Sequence, residues 1–151
     1  MKHYMSFLGV FLLCCLLLVG CGLKKSDSST VLECSSSNTV GSTSTEEVYK
    51  IYFLDDKVDK VSLNISVTLN EPDNVTRDNL ESDVDSAFED YKNKKGVSYS
   101  SDVNDNGFNI KMDINYNELS EDDKTSINII NAENSYDEVK LELENNSFLC
   151  K

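Results

Sequence analysis

The sequence predicts an α+β domain: a mostly antiparallel β-sheet packed by one long amphipathic helix and by shorter C-terminal helices. Three observations carry that expectation. Strict period-2 alternation runs through residues 49–53 and 61–69, a 3.6-residue apolar period runs through residues 80–91, and two serine-led helix starts follow after residue 119.

Residues 46–70 read as a β-hairpin. Tyr49, Ile51 and Phe53 alternate with Lys50 and Tyr52, and after Asp55-Asp56-Lys57 the residues Val61, Leu63, Ile65, Val67 and Leu69 alternate with Ser62, Asn64, Ser66 and Thr68. Such strands turn one face to a core and the other to water, as in an antiparallel sheet. Ahead of them, the Ser/Thr/Gly-rich residues 35–45 read as a separator between Val31–Cys34 and the hairpin. Pro72, the single proline, closes the second strand.

The period then changes. Leu80, Val84, Ala87, Phe88 and Tyr91 form one apolar stripe of a helix predicted over residues 76–95. Asn74 or Thr76 is placed to cap it, Asp78 and Glu81 stand in its first turn, and Lys92, Lys94 and Lys95 in its last. Gly96 supplies a left-handed residue just past the end. Residues 97–103 and 108–116 then flank Asn104-Asp105-Asn106-Gly107, a hairpin cue, with Phe108, Ile110, Met112, Ile114 and Tyr116 on one face. Ser120 opens a short helix through about Ile130, and Ser135 with Glu138 forms a capping box for another, although residues 139–144 alternate as a strand would. Phe148-Leu149-Cys150 is expected beside the strand that carries Cys34.

The leader points to a location. A short segment carrying Lys2 precedes an apolar run from Phe7 to Val19, too short to span a bilayer comfortably and suited to a secretory signal. The run ends in Leu18-Val19-Gly20-Cys21, which fits the bacterial lipobox, where a small residue precedes a cysteine that takes a diacylglyceryl thioether. The expected organisation is therefore a lipoprotein signal peptide over residues 1–20 and a lipidated Cys21 with a flexible tether over residues 21–30. A single extracytoplasmic domain over residues 31–151 follows, held to the cell membrane by its lipid. An ordinary cleaved signal or an uncleaved anchor is the alternative. Lys24 and Lys25 stand beside the anchor, where anionic headgroups attract each by about 1 kcal/mol.

Composition narrows the chemistry. The net charge of −13, one unit more negative once Lys2 leaves, repels nucleic acid phosphates and excludes them as partners. His3, the single histidine, leaves with the leader, which removes serine–histidine and cysteine–histidine catalysis and most zinc and haem sites. No S-x-x-K nucleophile motif and no Gly-rich phosphate loop is present. Cys14 and Cys15 also leave with the leader and Cys21 takes the lipid, so Cys34 and Cys150 remain. Two leftover cysteines in a secreted domain usually pair; the alternative is two buried free thiols.

One motif invites a metal. Asp102, Asn104 and Asn106, followed by Gly107 and then Asp113, follow the oxygen spacing of a calcium loop, although Asp113 stands where a bidentate Glu is wanted. The strand period around them makes a plain hairpin turn the competing reading. Asp83, Asp85, Glu89 and Asp90 read as the solvated face of the long helix. Tyr49, Tyr52, Tyr91, Tyr99, Tyr116 and Tyr136 read as core and rim, with a ligand pocket as the alternative.

The order of these signals resembles the YehR-like small bacterial lipoproteins, a family of unknown function. The resemblance rests on the lipobox with Gly22 after Cys21, the VYKIYFLDDKVDKVSLNISV hairpin, the helix ending YKNKKGV, the MDINYNEL strand, and a terminal helix running into NNSFLCK. It implies helices against an antiparallel sheet and transfers no catalytic residues. Cys34 and Cys150 depart from the better-known members. The expected function is a non-enzymatic binding or interaction module at the cell envelope, without a cofactor, whose partner is a protein, an envelope polymer or a small ligand. The alternative is a weak Ca²⁺-dependent module built on Asp102, Asn104, Asn106 and Asp113, hydrolytic in its strongest form.

Overall fold

Alternation in the first half of the chain becomes three long strands, β1 (Thr30–Val40), β2 (Thr43–Leu54) and β3 (Lys57–Leu69), in a computed structural model that describes residues 29–70, 74–127 and 129–151. The stretch expected to separate elements is itself strand. β1 pairs with β2 from Thr30↔Phe53 to Val40↔Thr43, turning at Gly41-Ser42. Gly41 alone carries a positive φ there, 61°, the pattern of a type II′ turn. Serine and threonine suit a pleated edge as well as a loop, so composition misread the segment. The apolar leader, Cys21, the tether to residue 28 and the side chains of Asn74, Thr76 and Asp78 lie outside what is described.

The β2–β3 turn uses Asp55 and Asp56, at φ 51° and 63°. Two left-handed residues are what a type I′ turn requires, and aspartate tolerates that region better than most side chains. After β3 come helices α1 (Asn74–Ala87) and α2 (Glu89–Lys92), then β4 (Val97–Asn104) and β5 (Gly107–Asn115). Helices α3 (Glu121–Ser126) and α4 (Tyr136–Asn145) and the two-residue β6 (Leu149–Cys150) complete the described chain. All six strands form one antiparallel sheet in the order β4-β5-β3-β2-β1-β6.

This architecture corrects the expected fold class. Among the described residues no long amphipathic helix packs across the sheet; they form a six-stranded antiparallel sheet with short helices. The helical run breaks at Phe88, whose φ of −111° and ψ of 9° leave the helical well. Among the described side chains of α1 only Val84 is deeply buried, and it lies apart from the main core; Ala87 is exposed. What the stripe meets is the edge strand. The Phe88 ring stacks on Tyr99 of β4 at 5.4 Å, and Lys92 Nζ sits 5.5 Å from the same ring. The lysines expected to complement one long dipole do other work: Lys92 pairs with Asp85 at 2.6 Å and Lys94 with Asp123 of α3. Gly96 does carry a positive φ, 85°, but at the entry to β4, where a side chain would meet the Asn115 carbonyl.

The sheet is covered instead by the segment after β5. Leu32, Ile51, Phe53, Val61, Leu63, Met112 and Ile114 project from one face of the strands and meet Leu119, Ile127, Ile130, Val139 and Leu143. That segment is fastened along its course. Tyr116 Oη donates to the Ile130 carbonyl at 2.6 Å, Val58 N–H to the Ala132 carbonyl at 3.2 Å, and Tyr136 N–H to Asp56 Oδ1 at 3.2 Å. Asp56 thereby places its carboxylate at the N-terminus of α4, where the helix dipole favours an anion. The capping box at Ser135 and Glu138 is formed as expected, and Ser120 caps α3.

Two predictions follow from this packing. Gly107 has φ 141°, and a Cβ there would lie 1.9 Å from the Val67 carbonyl oxygen of β3. Gly107→Ala should cost on the order of 4 kcal/mol or prevent folding. Gly41→Ala meets open space and should cost only about 1 to 2 kcal/mol for its left-handed φ. Equal urea midpoints for the two variants would contradict the close approach of β5 to β3. The second concerns alkali. Burial pushes the Tyr116 phenol up to about 12, and burial followed by the Glu47 charge does the same to Tyr49. A phenol that ionises near 10 when unfolded and near 12 when folded contributes stability that is whole below pH 10 and is lost as pH rises through 12. Tyr116→Phe should reduce the loss between those limits by on the order of 2 kcal/mol in alkaline denaturation, with the Tyr49 share remaining.

Candidate functional site

The same alternation that fills the core leaves the opposite face of the sheet bare. Across it, ladder partners line up as Ser98, Asp113, Ser62, Lys50, Glu33 and Lys151, a polar row running from β4 to the residue after β6. Neighbouring rows carry Ser100, Lys111 and Asn64, and then Asp102, Asn109 and Ser66. These side chains are exposed or half-buried, and among the described residues no helix covers them. Lys50 Nζ hydrogen-bonds Glu33 Oε1 at 2.7 Å and holds that carboxyl below the usual carboxylate range.

At the end of this face where β1 begins lies an open hollow of about 720 Å³. Tyr52, Lys60, Ser62, Ser98, Asp113 and Asn115 line it, with Asp59 and Glu118 at its margin. Each position has a local cause. β3 carries a bulge, since Tyr52 pairs with Lys60 but Phe53 with Val58, and the extra residue, Asp59, accepts Tyr116 N–H at 3.0 Å. The carboxylates are engaged by neutral donors: Asp113 by Ser62 Oγ, Asp59 by Asn117 Nδ2, and Glu118 by Asn115 Nδ2 at 2.6 Å. Lys60 has no ion-pair partner among the described residues. A hollow so built offers one cation, hydroxyl and amide groups, carboxylates and one aromatic ring, which suits hydrogen bonding to a polar ligand.

The candidate metal ligands are spread along the same face. Asn104 and Asn106 meet in the β4–β5 turn, where Asn104 Oδ1 accepts Asn106 N–H at 2.8 Å. Asp102 sits opposite Asn109, while Asp113 is four residues further along β5, about 13 Å away at the rise of a strand. Asp113 is also turned to Ser62. Among the described residues no group of three or more His, Cys, Asp or Glu side chains is arranged to hold a metal ion.

The cysteines are brought together. Cys34 of β1 and Cys150 of β6 stand directly opposite and are joined as a disulfide across a sequence separation of 116. Glu33 and Lys151 exchange both backbone hydrogen bonds at the next rung, so the cysteines occupy a non-hydrogen-bonded pair, where facing side chains come closest.

Sequence reasoning placed Tyr52 among the core and rim tyrosines, with a ligand pocket as the alternative, and left Lys60, Ser62 and Ser98 unassigned. The period-2 pattern had already placed Ser62 on the wet face; what it lacked was the pairing that sets β4, β5, β3 and β2 side by side.

The class these features define is an antiparallel sheet clothed on one face and open on the other. Residues 27–149 match the family described as "Protein of unknown function (DUF1307)", and the chain belongs to that family. No curated protein and no solved structure matches the chain.

The bond between β1 and β6 can be tested by mass spectrometry of unreduced protein, which should contain a Cys34–Cys150 linked peptide. Reduction should lower stability by roughly 4 to 5 kcal/mol in the chain-entropy account of so long a loop. Full alkylation of both thiols without reductant would mean that packing alone holds β6.

Proposed function

We propose that the chain is a YehR-like, membrane-anchored extracytoplasmic lipoprotein whose domain is a non-enzymatic binding module at the cell envelope. The observation that carries the binding reading is the bare polar face with its hollow. A sheet that needs only one clothed face for stability keeps the other as a wide hydrogen-bonding surface. The leader and lipobox support the anchor, with Cys21 as the lipid-bearing residue. On this reading the tether meets the domain at Ser29, which borders the hollow, and β1 runs from there for eleven residues, about 35 Å, away from the membrane. The acidic net charge supports a partner other than nucleic acid, and the separation of Asp113 from the β4–β5 turn speaks against the calcium alternative.

Growth with a clickable fatty acid should label the protein, and Cys21→Ala should abolish the label; label that survives the substitution removes the lipoprotein reading. Crosslinking in intact cells should then capture a partner that is retained by Asp102→Ala and lost or weakened at least tenfold in Tyr52→Ala with Lys60→Glu. A partner held equally by all variants would place binding away from this face.

A further inference from the structure

We infer that the free edge of β1 takes an extended, basic peptide segment as an added strand. β6 covers only Cys34 and Ser35 of β1, so Ser36 to Val40 form a sheet edge with no pairing strand among the described residues. The direction of its backbone groups is fixed by the ladder. Glu33 exchanges hydrogen bonds with Lys151 on the outer side, so the N–H and C=O groups of Ser37 and Thr39 also point outward, while those of Ser36 and Asn38 point to β2. Natural edges block such pairing with charges, prolines or bulges; this one is uncharged, lacks proline and keeps an unbroken register with β2.

Two features select the occupant. Val40 and Leu149, 71% and 76% exposed, flank the edge and give an incoming strand apolar contacts. One strand behind it, Glu47 stands opposite Ser36 and Glu46 opposite Ser37, on opposite faces of the sheet. Neither carboxylate has a basic partner among the described residues, and the small serines in front leave both open. An added strand would lie about 10 Å from β2, a distance that a lysine and a glutamate span together. A shallow hollow of about 220 Å³, lined by Ser35, Glu46, Val48 and Leu149 with Glu33 and Lys151 at its other side, receives the aliphatic stem of such a lysine and leaves its ammonium to Glu46. A second copy of the chain fits less well, because it carries the same acidic flank and a net charge of −13.

The inference rests on the binding reading above and names a partner chemistry for it. The full chain in detergent micelles is titrated with the peptide (Thr-Lys)₄ and with (Thr-Glu)₄, and amide hydrogen exchange is followed residue by residue. With the lysine peptide, exchange at Ser37 and Thr39 should slow at least tenfold while Ser36 and Asn38 stay unchanged; the glutamate peptide should do nothing. Ser37→Pro removes an outward N–H that β2 does not use and should abolish the protection. Glu46→Gln with Glu47→Gln should weaken binding at least fivefold, and it carries the test if the proline variant does not fold. Protection by both peptides, protection that survives Ser37→Pro, or no protection at all overturns the inference. Protection that grows with protein concentration alone assigns the edge to a second copy and also overturns it. Lipid labelling at Cys21 is read separately, so failure of either result leaves the other standing.

Discussion

Everything in this molecule depends on covering one face of a long, twisted sheet. β2, β3 and β5 present Ile51, Phe53, Val61, Leu63, Met112 and Ile114 to the same side, and left in water that face would drive aggregation. The segment after β5 supplies Ile127, Ile130, Val139 and Leu143, each contributing roughly 1.5 to 3 kcal/mol on burial. Its course is held at the β2–β3 turn by Asp56 and Val58, in the middle by the Tyr116–Ile130 hydrogen bond, and at the far edge by Cys34–Cys150. Aromatic contacts reinforce both ends: Phe53 meets Tyr136 at 5.4 Å, and Tyr49 meets Phe148 at 5.3 Å.

Because the C-terminal segment does this covering, the helical residues after β3 are released from it. Their stripe is narrow and breaks at Phe88, and its Phe88 and Tyr91 pack beside Tyr99 of the edge strand at the margin of the core. The result is a sheet whose stability is settled on one side. Its other side is free to carry Lys50, Lys60, Asp113 and a field of serine and asparagine without desolvating them, since charges at an exposed surface cost little. The same economy exposes the distal half of β1, where an eleven-residue strand meets a two-residue neighbour.

Much of the ladder was legible in residue order. Alternation located β2, β3 and β5 and sorted their faces, Asn104 to Gly107 marked the β4–β5 turn, and Ser135 with Glu138 marked the start of α4. Each is a local signal, because side chains alternate across any strand and a capping box is closed within one turn. Two local readings failed. The hydroxyl-rich residues 35–45 carry no apolar period, yet residues 35–40 and 43–45 are paired strand on either side of the Gly41-Ser42 turn. The 3.6-residue stripe at Leu80 to Tyr91 was real as a pattern but too thin to compete for the core.

The sequence by itself determined which side chains face inward along β2, β3 and β5, where the turns at Asp55-Asp56 and Asn104 to Gly107 fall, and that Cys34 and Cys150 are candidates to pair. Those are properties of short windows and of composition. Only the tertiary structure decided which apolar segment covers the sheet, because that depends on competition between residues 74–92 and residues 116–150 for one surface. The gathering of Tyr52, Lys60, Ser62, Ser98 and Asp113 into one hollow is likewise tertiary. It follows from the strand order β4-β5-β3-β2, in which residues more than fifty positions apart become neighbours 5 Å from strand to strand.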